Sequence, residues 1–172
     1  KFVGAINAVY SKDEIVSTDF YINLETISAY ENLTAITNEM INSPVSGYVF
    51  GRVDFCGSLG LTRNKINSDS LLNYCSGVSD NCIPNNLEFV VGGGISNDSV
   101  NFLKKLDEKK LNAFETRKII FKNSVLNKDF RKAIQLAVKF ELLYLMNKHD
   151  YYKQISEEDL SRIAMLESRV SL

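Results

Sequence analysis

Two carboxylates stand at the ends of predicted strands, where parallel α/β proteins usually place their chemistry. Glu25 ends a strand predicted over residues 19–25, and Asp54 ends the next, predicted over residues 47–55. Because one helical segment separates them, we expect neighbouring parallel strands with both carboxylates at one rim. Such a pair repels unless a cation or a proton joins it, and Mg²⁺ suits two carboxylates completed by waters and substrate oxygens. The structural alternative is that Glu25 caps the following helix and Asp54 caps a turn.

Three consecutive glycines, Gly92 to Gly94, follow a third predicted strand at residues 87–91. The helix after them begins near Ser96, a residue type that caps helices. Backbone N–H groups of such a turn can bind an anion, which would make Gly92 and Gly93 substrate-binding residues. The structural alternative is a tight strand-to-helix turn whose glycines adopt positive φ angles. The sequence leaves both interpretations open.

A fourth predicted strand, residues 113–121, carries charges on both faces. Glu115 and Arg117 alternate onto one face, and Thr116 and Lys118 onto the other. Charges inside a core strand are costly unless they are paired. We therefore expect Glu115 and Arg117 to form a buried ion pair, to line an active-site wall or to contact another subunit. The sequence assigns no role to Lys118.

Cysteine and histidine usage argues against several other kinds of site. Cys56, Cys75 and Cys82 are odd in number and lack CxxC spacing, so we expect small buried thiols rather than disulfides or a zinc site. This usage favours a reducing, cytoplasmic compartment. The single histidine, His149, leaves a His-rich zinc site and a Ser-His-Asp triad poorly supported.

The placement of all these residues depends on an alternation of strands and helices. Helices are predicted at residues 31–41, 68–82, 96–106, 128–148 and 156–170. Strands that alternate with helices pair in parallel through right-handed crossovers, which predicts an α/β fold. Four parallel strands suit either an open sheet or half of a (β/α)₈ barrel, and the pattern alone does not choose.

Charge and hydropathy exclude some classes of partner. The 172 residues include 20 Lys and Arg against 21 Asp and Glu, a formal net charge of −1. This balance gives no reason to expect a nucleic-acid partner or a membrane surface. No apolar run approaches the roughly 20 residues that span a bilayer. The N-terminus of the sequence lacks the basic and apolar pattern of a secretion signal.

Short motifs around the two carboxylates resemble a known family, the HpcH/HpaI-type aldolases and citrate lyase β-subunits. That family shows an Ile-Glu-Thr element, a Glu-Asn-Leu-x-x-Ile helix and a Gly-x-x-Asp-Leu-Ser-x-Ser-Leu-Gly element. The corresponding segments here are Leu24-Glu25-Thr26, Glu31-Asn32-Leu33-Thr34-Ala35-Ile36 and Gly51-Arg52-Val53-Asp54-Phe55-Cys56-Gly57-Ser58-Leu59-Gly60. The resemblance covers residues 19–61. Phe55, Cys56 and Gly57 depart from the family pattern by changes in packing that leave the acidic residues in place.

The resemblance implies a Mg²⁺- or Mn²⁺-dependent carbon–carbon lyase or aldolase. The family's metal ligands carry over onto Glu25 and Asp54. The substrate would be a 2-oxo acid, a hydroxy acid or an acyl thioester, and cleavage would leave an enolate whose charge the metal stabilises. Arg52 and Val53 would lie beside the substrate carboxylate. Arg52 could instead pair with Asp54 or Glu25.

The resemblance also implies that residues 1–172 form a single partial domain. Residues 1–127 would be the C-terminal half of a (β/α)₈ TIM barrel, beginning with a helix at residues 2–6, and residues 128–172 would form two C-terminal helices. Strands five to eight of the barrel would then end, in order, at Glu25, Asp54, Gly92 and Phe121. The family's substrate-binding arginine is expected upstream of residue 1, so no catalytic residue is assigned here. We expect the full enzyme to be a homo-oligomer with contacts from the C-terminal helices.

Two other functions stay open at this point. One is a non-catalytic barrel homologue with a binding or regulatory role. The other is a phosphate-binding α/β domain centred on the turn at Gly92 to Gly94. Metal-dependent release of a 2-oxo acid would favour the lyase over both. Metal binding without turnover would favour the non-catalytic homologue, and stabilisation by phosphate but not by metal would favour the phosphate-binding domain.

Overall fold

A computed structural model describes residues 1–106 and 111–170, with the side chain of residue 170 left out. Five strands form one sheet in the order in which they occur along the chain. They are β1 (Phe20–Leu24), β2 (Val45–Gly51), β3 (Glu88–Gly92), β4 (Ala113–Glu115) and β5 (Ile120–Lys122). Neighbours from β1 to β4 pair in parallel, whereas β5 is antiparallel to β4. The α/β prediction is confirmed, and no closed barrel is present in the described part of the chain.

Helices precede the first strand, connect the parallel strands and follow the last one. They are α1 (Phe2–Val9), α2 (Lys12–Val16), α3 (Ile27–Glu31), α4 (Leu33–Met40), α5 (Arg52–Ser58), α6 (Asp69–Cys82), α7 (Val100–Lys105) and α8 (Phe130–Val170). The predicted caps are confirmed at two of them. The Ser68 hydroxyl accepts a hydrogen bond from the backbone of Leu71 at 3.3 Å, and Ser96 caps the 3₁₀ turn that leads into α7.

The core lies on both faces of the central strands. β3 reads Glu-Phe-Val-Val-Gly, and all but its first residue are buried, which is typical of a parallel strand covered on both sides. Phe89 and Val91 are both inaccessible to solvent. The three cysteines join this core as free, buried thiols, as predicted. Burial raises the pKa of Cys75 to about 12 and that of Cys82 to about 12, which leaves them protonated and unreactive.

The second strand is shorter than predicted. We expected it to run over residues 47–55, but it ends at Gly51 and α5 begins at Arg52. The apolar residues after Gly51 serve a helix, because Phe55 turns inward and packs against Phe50 with ring centroids 4.6 Å apart. Asp54 therefore lies in the first turn of a helix and not on a strand.

The fourth predicted strand, residues 113–121, is a hairpin. Its two short strands, β4 and β5, are joined by a turn in which the Thr116 N–H donates to the Ile119 carbonyl oxygen at 2.9 Å. Arg117 lies in this turn and is exposed, so the prediction of a buried ion pair with Glu115 is wrong. Lys118 has a different partner, because its Nζ lies 4.1 Å from the centre of the Tyr144 ring on α8.

The two predicted C-terminal helices, residues 128–148 and 156–170, are one continuous helix of 41 residues. The segment between them contains neither proline nor glycine, so nothing in the sequence breaks the helix. Phe130, Ile134 and Ala137 anchor its first turns in the core. Across the described ranges, no helix has the length and apolarity needed to cross a bilayer.

Candidate functional site

Four residues form a row across the carboxyl end of the parallel sheet. Gly51 of β2 pairs in register with Gly92 of β3. The registers of the outer strands place Glu25, just after β1, beside Gly51, and Glu115 of β4 beside Gly92. The row thus reads Glu, Gly, Gly, Glu, with an acidic residue at each end.

The two glycines make room for the two carboxylates. A Cβ atom added to Gly51 would lie 2.7 Å from Oε1 of Glu25, and one added to Gly92 would lie 2.8 Å from Oε1 of Glu115. Any larger residue at either position would displace these carboxylates. Each glutamate side chain therefore lies over its neighbouring strand, towards the centre of the row.

The electrostatics of the row follow from this convergence. The pKa of Glu115 is raised, mainly by burial and further by the negative charge of Glu25. The Asn23 side chain donates a hydrogen bond to Oε1 of Glu25 at 3.3 Å. No basic side chain forms an ion pair with either glutamate among the residues that the structure describes. The centre of the row is therefore a place where a cation or a proton would relieve repulsion.

Asp54 approaches the same end of the sheet from α5. It lies in the first turn of that helix, three residues after Gly51, and is exposed. Asp54 and Glu115 both line a cleft of about 920 Å³. The other charged residues that line this cleft are Arg63, Asp98, Arg117 and Glu141.

The described acidic residues at this end of the sheet do not form a cage for a metal ion. No group of three or more His, Cys, Asp or Glu side chains is arranged to hold a metal in the described ranges, 1–106 and 111–170. Mg²⁺ does not need such a cage, because it is commonly held by one or two carboxylates together with waters and substrate oxygens. Gly51 leaves space for the Glu25 carboxylate, and Asp54 lies on the helix that starts next to Gly51, although Asp54 lines the cleft and Glu25 does not.

Arg52 is a structural residue, contrary to both roles that we considered for it. It is completely buried, and burial lowers its pKa to about 10. Its five N–H groups donate to the carbonyl oxygens of Gly92 (3.1 Å), Gly93 (2.8 Å) and Ile66 (3.4 Å), to Oδ1 of Asn67 (2.7 Å) and to Oγ of Ser99 (3.2 Å). Its guanidinium has no donor left for a substrate, and its partners include neither Asp54 nor Glu25.

Arg52 fixes the glycine turn in place. Gly93 and Gly94 adopt φ angles of +79° and +67°, as the tight-turn alternative requires. The Gly94 carbonyl oxygen accepts a hydrogen bond from Ser99 at 3.3 Å. Gly93 and Val53 line the cleft. Binding of a substrate by Val53, Gly92 and Gly93 stays a prediction.

Sequence reasoning missed several residues of the cleft. Arg63 lies in a 3₁₀ turn after α5. Its position shortly after the motif that contains Asp54 was the one feature of the sequence that could have identified it as a site residue. Glu141 comes from α8, and nothing in the sequence indicates that this helix passes the carboxyl end of the sheet. His149 is exposed on α8, away from the residues that line the cleft.

Comparisons with known proteins complete the description of the site. No protein-family model, no curated protein and no solved structure matches this chain. Functional inference therefore rests on the geometry of the site and on the sequence motifs that surround it.

Proposed function

We propose that this chain is part of a Mg²⁺- or Mn²⁺-dependent carbon–carbon lyase or aldolase acting on a 2-oxo acid, a hydroxy acid or an acyl thioester. The observation that carries the proposal is the Glu25 carboxylate lying over Gly51, directly before the helix that bears Asp54. The motifs at residues 19–61 support it independently, because they surround the same two carboxylates.

In this proposal each group at the rim has a defined task. Glu25 and Asp54 would hold the divalent cation, and Glu25 is oriented by the Asn23 amide. When bound, such an ion acts as a Lewis acid that polarises a substrate carbonyl and stabilises developing negative charge. Arg52 holds the turn at Gly93 and so keeps one wall of the cleft rigid. Glu115, at the other end of the row, lines the cleft.

The wider architecture is proposed to be strands five to eight of a (β/α)₈ barrel. A sheet whose parallel strands follow one another in chain order is the arrangement found in barrels, where every crossover moves the same way. The outer edge of β1 has no strand partner in the described ranges, and an open edge of this kind calls for one. The remaining barrel strands would pair there, and closure would also need a parallel strand on the edge of β4 that the antiparallel β5 occupies.

We further propose that the enzyme is a cytoplasmic homo-oligomer with subunit contacts on α8. From Leu136 onwards this helix exposes many large apolar side chains, which is unusual for a surface helix. They include Leu136, Phe140, Leu142, Leu143, Leu145, Met146, Tyr151, Tyr152, Leu160 and Ile163. Size-exclusion chromatography with light scattering tests this, and a monomer at micromolar concentration would contradict it.

The activity is tested by metal-dependent turnover. Residues 1–172 alone are expected to be inactive, so the complete protein that contains them is incubated with a panel of hydroxy-oxo acids, β-hydroxy acids and their thioesters, and release of a 2-oxo acid is followed with and without Mg²⁺ or Mn²⁺. We expect release that needs the metal and is lost in Asp54→Ala. Glu39→Gln is the matched control, because Glu39 is an exposed carboxylate on α4, and should keep full activity.

Three outcomes would contradict the proposal in different ways. If metal neither binds nor raises the melting temperature, the metal-dependent function is wrong. If metal binds but no member of the panel turns over, a non-catalytic binding homologue is favoured. If phosphate stabilises the protein and metal does not, a phosphate-binding domain at Gly92 to Gly94 is favoured.

A further inference from the structure

The second half of α8 lies outside the body of the protein. Every residue from Leu142 to Arg169 is exposed, yet the chain stays helical to Val170. An isolated helix is only marginally stable in water, because most helical stability in proteins comes from packing of an apolar face. This half of α8 therefore calls for a packing partner.

One stripe along α8 has the spacing of a two-stranded coiled coil, in which steps of four and three residues alternate. Its members are Val138, Leu142, Leu145, His149, Tyr152, Ser156, Asp159, Ile163 and Leu166. The apolar and aromatic members are each between 44% and 57% exposed. The polar members lie in the middle of the stripe and the aliphatic members at its two ends, so the stripe has a similar order in both directions.

A second copy of α8 that runs antiparallel matches this stripe. With a two-fold axis at the level of Gln154, the opposed pairs are Leu142 with Leu166, Leu145 with Ile163, His149 with Asp159 and Tyr152 with Ser156. Aliphatic residues thus meet aliphatic residues, and the acidic Asp159 meets a histidine. A parallel copy would instead set Asp159 against its own counterpart, and two like charges on the seam repel.

The charges beside the stripe support the same orientation. At its ends, Lys139 opposes Glu167 and Glu141 opposes Arg169 of the second copy, and the symmetry forms each pair twice. The other flanking pairs are Met146 with Leu160, Ile155 with its own copy, Lys148 with Arg162 and Lys153 with its own copy. The first two of these bury apolar surface, and the cations of the last two have long stems that extend their charges into water. Charge complementarity therefore favours an antiparallel second copy.

A groove on the body lies where the helix of the second copy would end. It encloses about 420 Å³ and is lined by apolar residues of α8, including Leu142, and by residues 96–98. Because Leu142 opposes Leu166, the last turn of the second copy reaches this groove. Oδ1 of Asn97 is buried and accepts no hydrogen bond from any residue that the structure describes. A donor from the last turn of the second copy, which carries Arg169, would satisfy it.

We propose that α8 pairs antiparallel with α8 of a second copy, about a two-fold axis at the level of Gln154, and that the end of each helix sits in the groove beside Asn97 of the other. This inference deepens the proposed subunit contact on α8, on which it rests, by naming the face, the orientation and the register of that contact. It does not depend on the metal-dependent activity.

Disulfide cross-linking of the complete protein tests the orientation. In the double variant Leu145→Cys with Ile163→Cys, the new thiols meet across the antiparallel pair, and mild oxidation should link two chains. Neither single variant should cross-link. The two positions lie about 27 Å apart within one helix, at a rise of 1.5 Å per residue, so they form no bridge within a chain. Cys56, Cys75 and Cys82 are buried, and the native protein treated in the same way is the control.

A charge placed on the stripe should weaken the pair. We expect Ile163→Glu to raise the dimer dissociation constant at least about tenfold in sedimentation velocity, because two carboxylates then lie on the apolar seam. Ala164→Glu is the matched control and should leave the constant unchanged, because Ala164 is the exposed neighbour of Ile163 but lies outside the stripe.

The outcomes separate this inference from the wider proposal. Cross-linking of Leu145→Cys alone would show a parallel pair and overturn the inference. An oligomer that neither cross-links in the double variant nor responds to Ile163→Glu would also overturn it, while leaving a homo-oligomer standing. A monomeric complete protein would contradict both, since the stripe would then be covered within one chain. Absence of metal-dependent turnover, with cross-linking as expected, would contradict only the lyase.

Discussion

Each end of strand β2 carries a glycine next to larger side chains of the neighbouring strands. The two ends differ in how those larger side chains interact with one another. At the amino end, Gly47 lies in register between Tyr21 of β1 and Glu88 of β3. The Tyr21 hydroxyl reaches across the glycine and donates a hydrogen bond to the Glu88 carboxylate. At the carboxyl end two glycines, Gly51 and Gly92, lie between the outer side chains, and the side chains that lean inward are both glutamates.

The two ends differ in whether their side chains satisfy one another's hydrogen-bonding capacity. The Tyr21 and Glu88 pair is complete, because a donor meets an acceptor, and burial together with the Glu88 carboxylate raises the pKa of Tyr21. Glu25 and Glu115 are both acceptors when ionised, so no hydrogen bond can join them. One end of the sheet is therefore closed by its own side chains, and the other is left open for a cation, a proton or a substrate.

Substitution of the amino-end glycine should have the largest effect on stability. A Cβ at Gly47 would lie 2.0 Å from the Glu88 carbonyl oxygen, a backbone atom that cannot move without separating β2 from β3. We expect Gly47→Ala to lower the free energy of unfolding by about 3 kcal/mol. Urea denaturation followed by circular dichroism measures this, and a loss below roughly 1 kcal/mol would show that the backbone contact is not tight.

Substitution of the carboxyl-end glycine should leave stability nearly intact and damage binding instead. A Cβ at Gly51 meets the Glu25 side chain, which can rotate away. We expect Gly51→Ala to cost about 1 kcal/mol or less and to weaken Mn²⁺ affinity about tenfold, because the Glu25 carboxylate is displaced. Gly57→Ala is the control, since nothing lies within 4 Å of its added Cβ. Unchanged Mn²⁺ affinity in Gly51→Ala would contradict the role of Glu25.

The smallest expected effect concerns the pH dependence of stability. Because the pKa of Glu115 is raised in the folded protein, its ionised form is penalised by folding. Without metal, stability should therefore fall as the pH rises from the unfolded-state value through the raised one, and the penalty should persist at neutral pH. Glu115→Gln should melt slightly higher than the native protein at pH 7 and at the same temperature at pH 4. An equal difference at both pH values would contradict this.

Local patterns predicted much of the fold and the position of Glu25 directly after the first strand. The strand ending at Glu25, the Ser68 cap and the burial of Cys75 depend on residues close in sequence or on apolar character, and all are observed. The function of Arg52 was not predictable, because its partners at Gly92 and Gly93 lie 40 and 41 residues away.

The failures have different causes. The uninterrupted α8 follows from the lack of proline and glycine between its predicted halves, and the hairpin at residues 113–122 follows from the turn that Thr116 and Ile119 close. The Glu, Gly, Gly, Glu row depends on the registers of three strand pairs, which the sequence alone does not contain. If the strand registers were known, glycines at paired strand ends beside acidic residues would indicate such a row.

Binding of Mn²⁺ is the measurement that tests the central claim most directly. Electron paramagnetic resonance counts free Mn²⁺ in titrations of the native protein, Glu25→Gln, Asp54→Asn and the control Glu39→Gln. We predict one saturable site in the native protein and in Glu39→Gln, with affinity reduced at least about tenfold in Glu25→Gln and Asp54→Asn. Absence of saturable binding to the native protein, or equal affinity in all four proteins, would contradict the account.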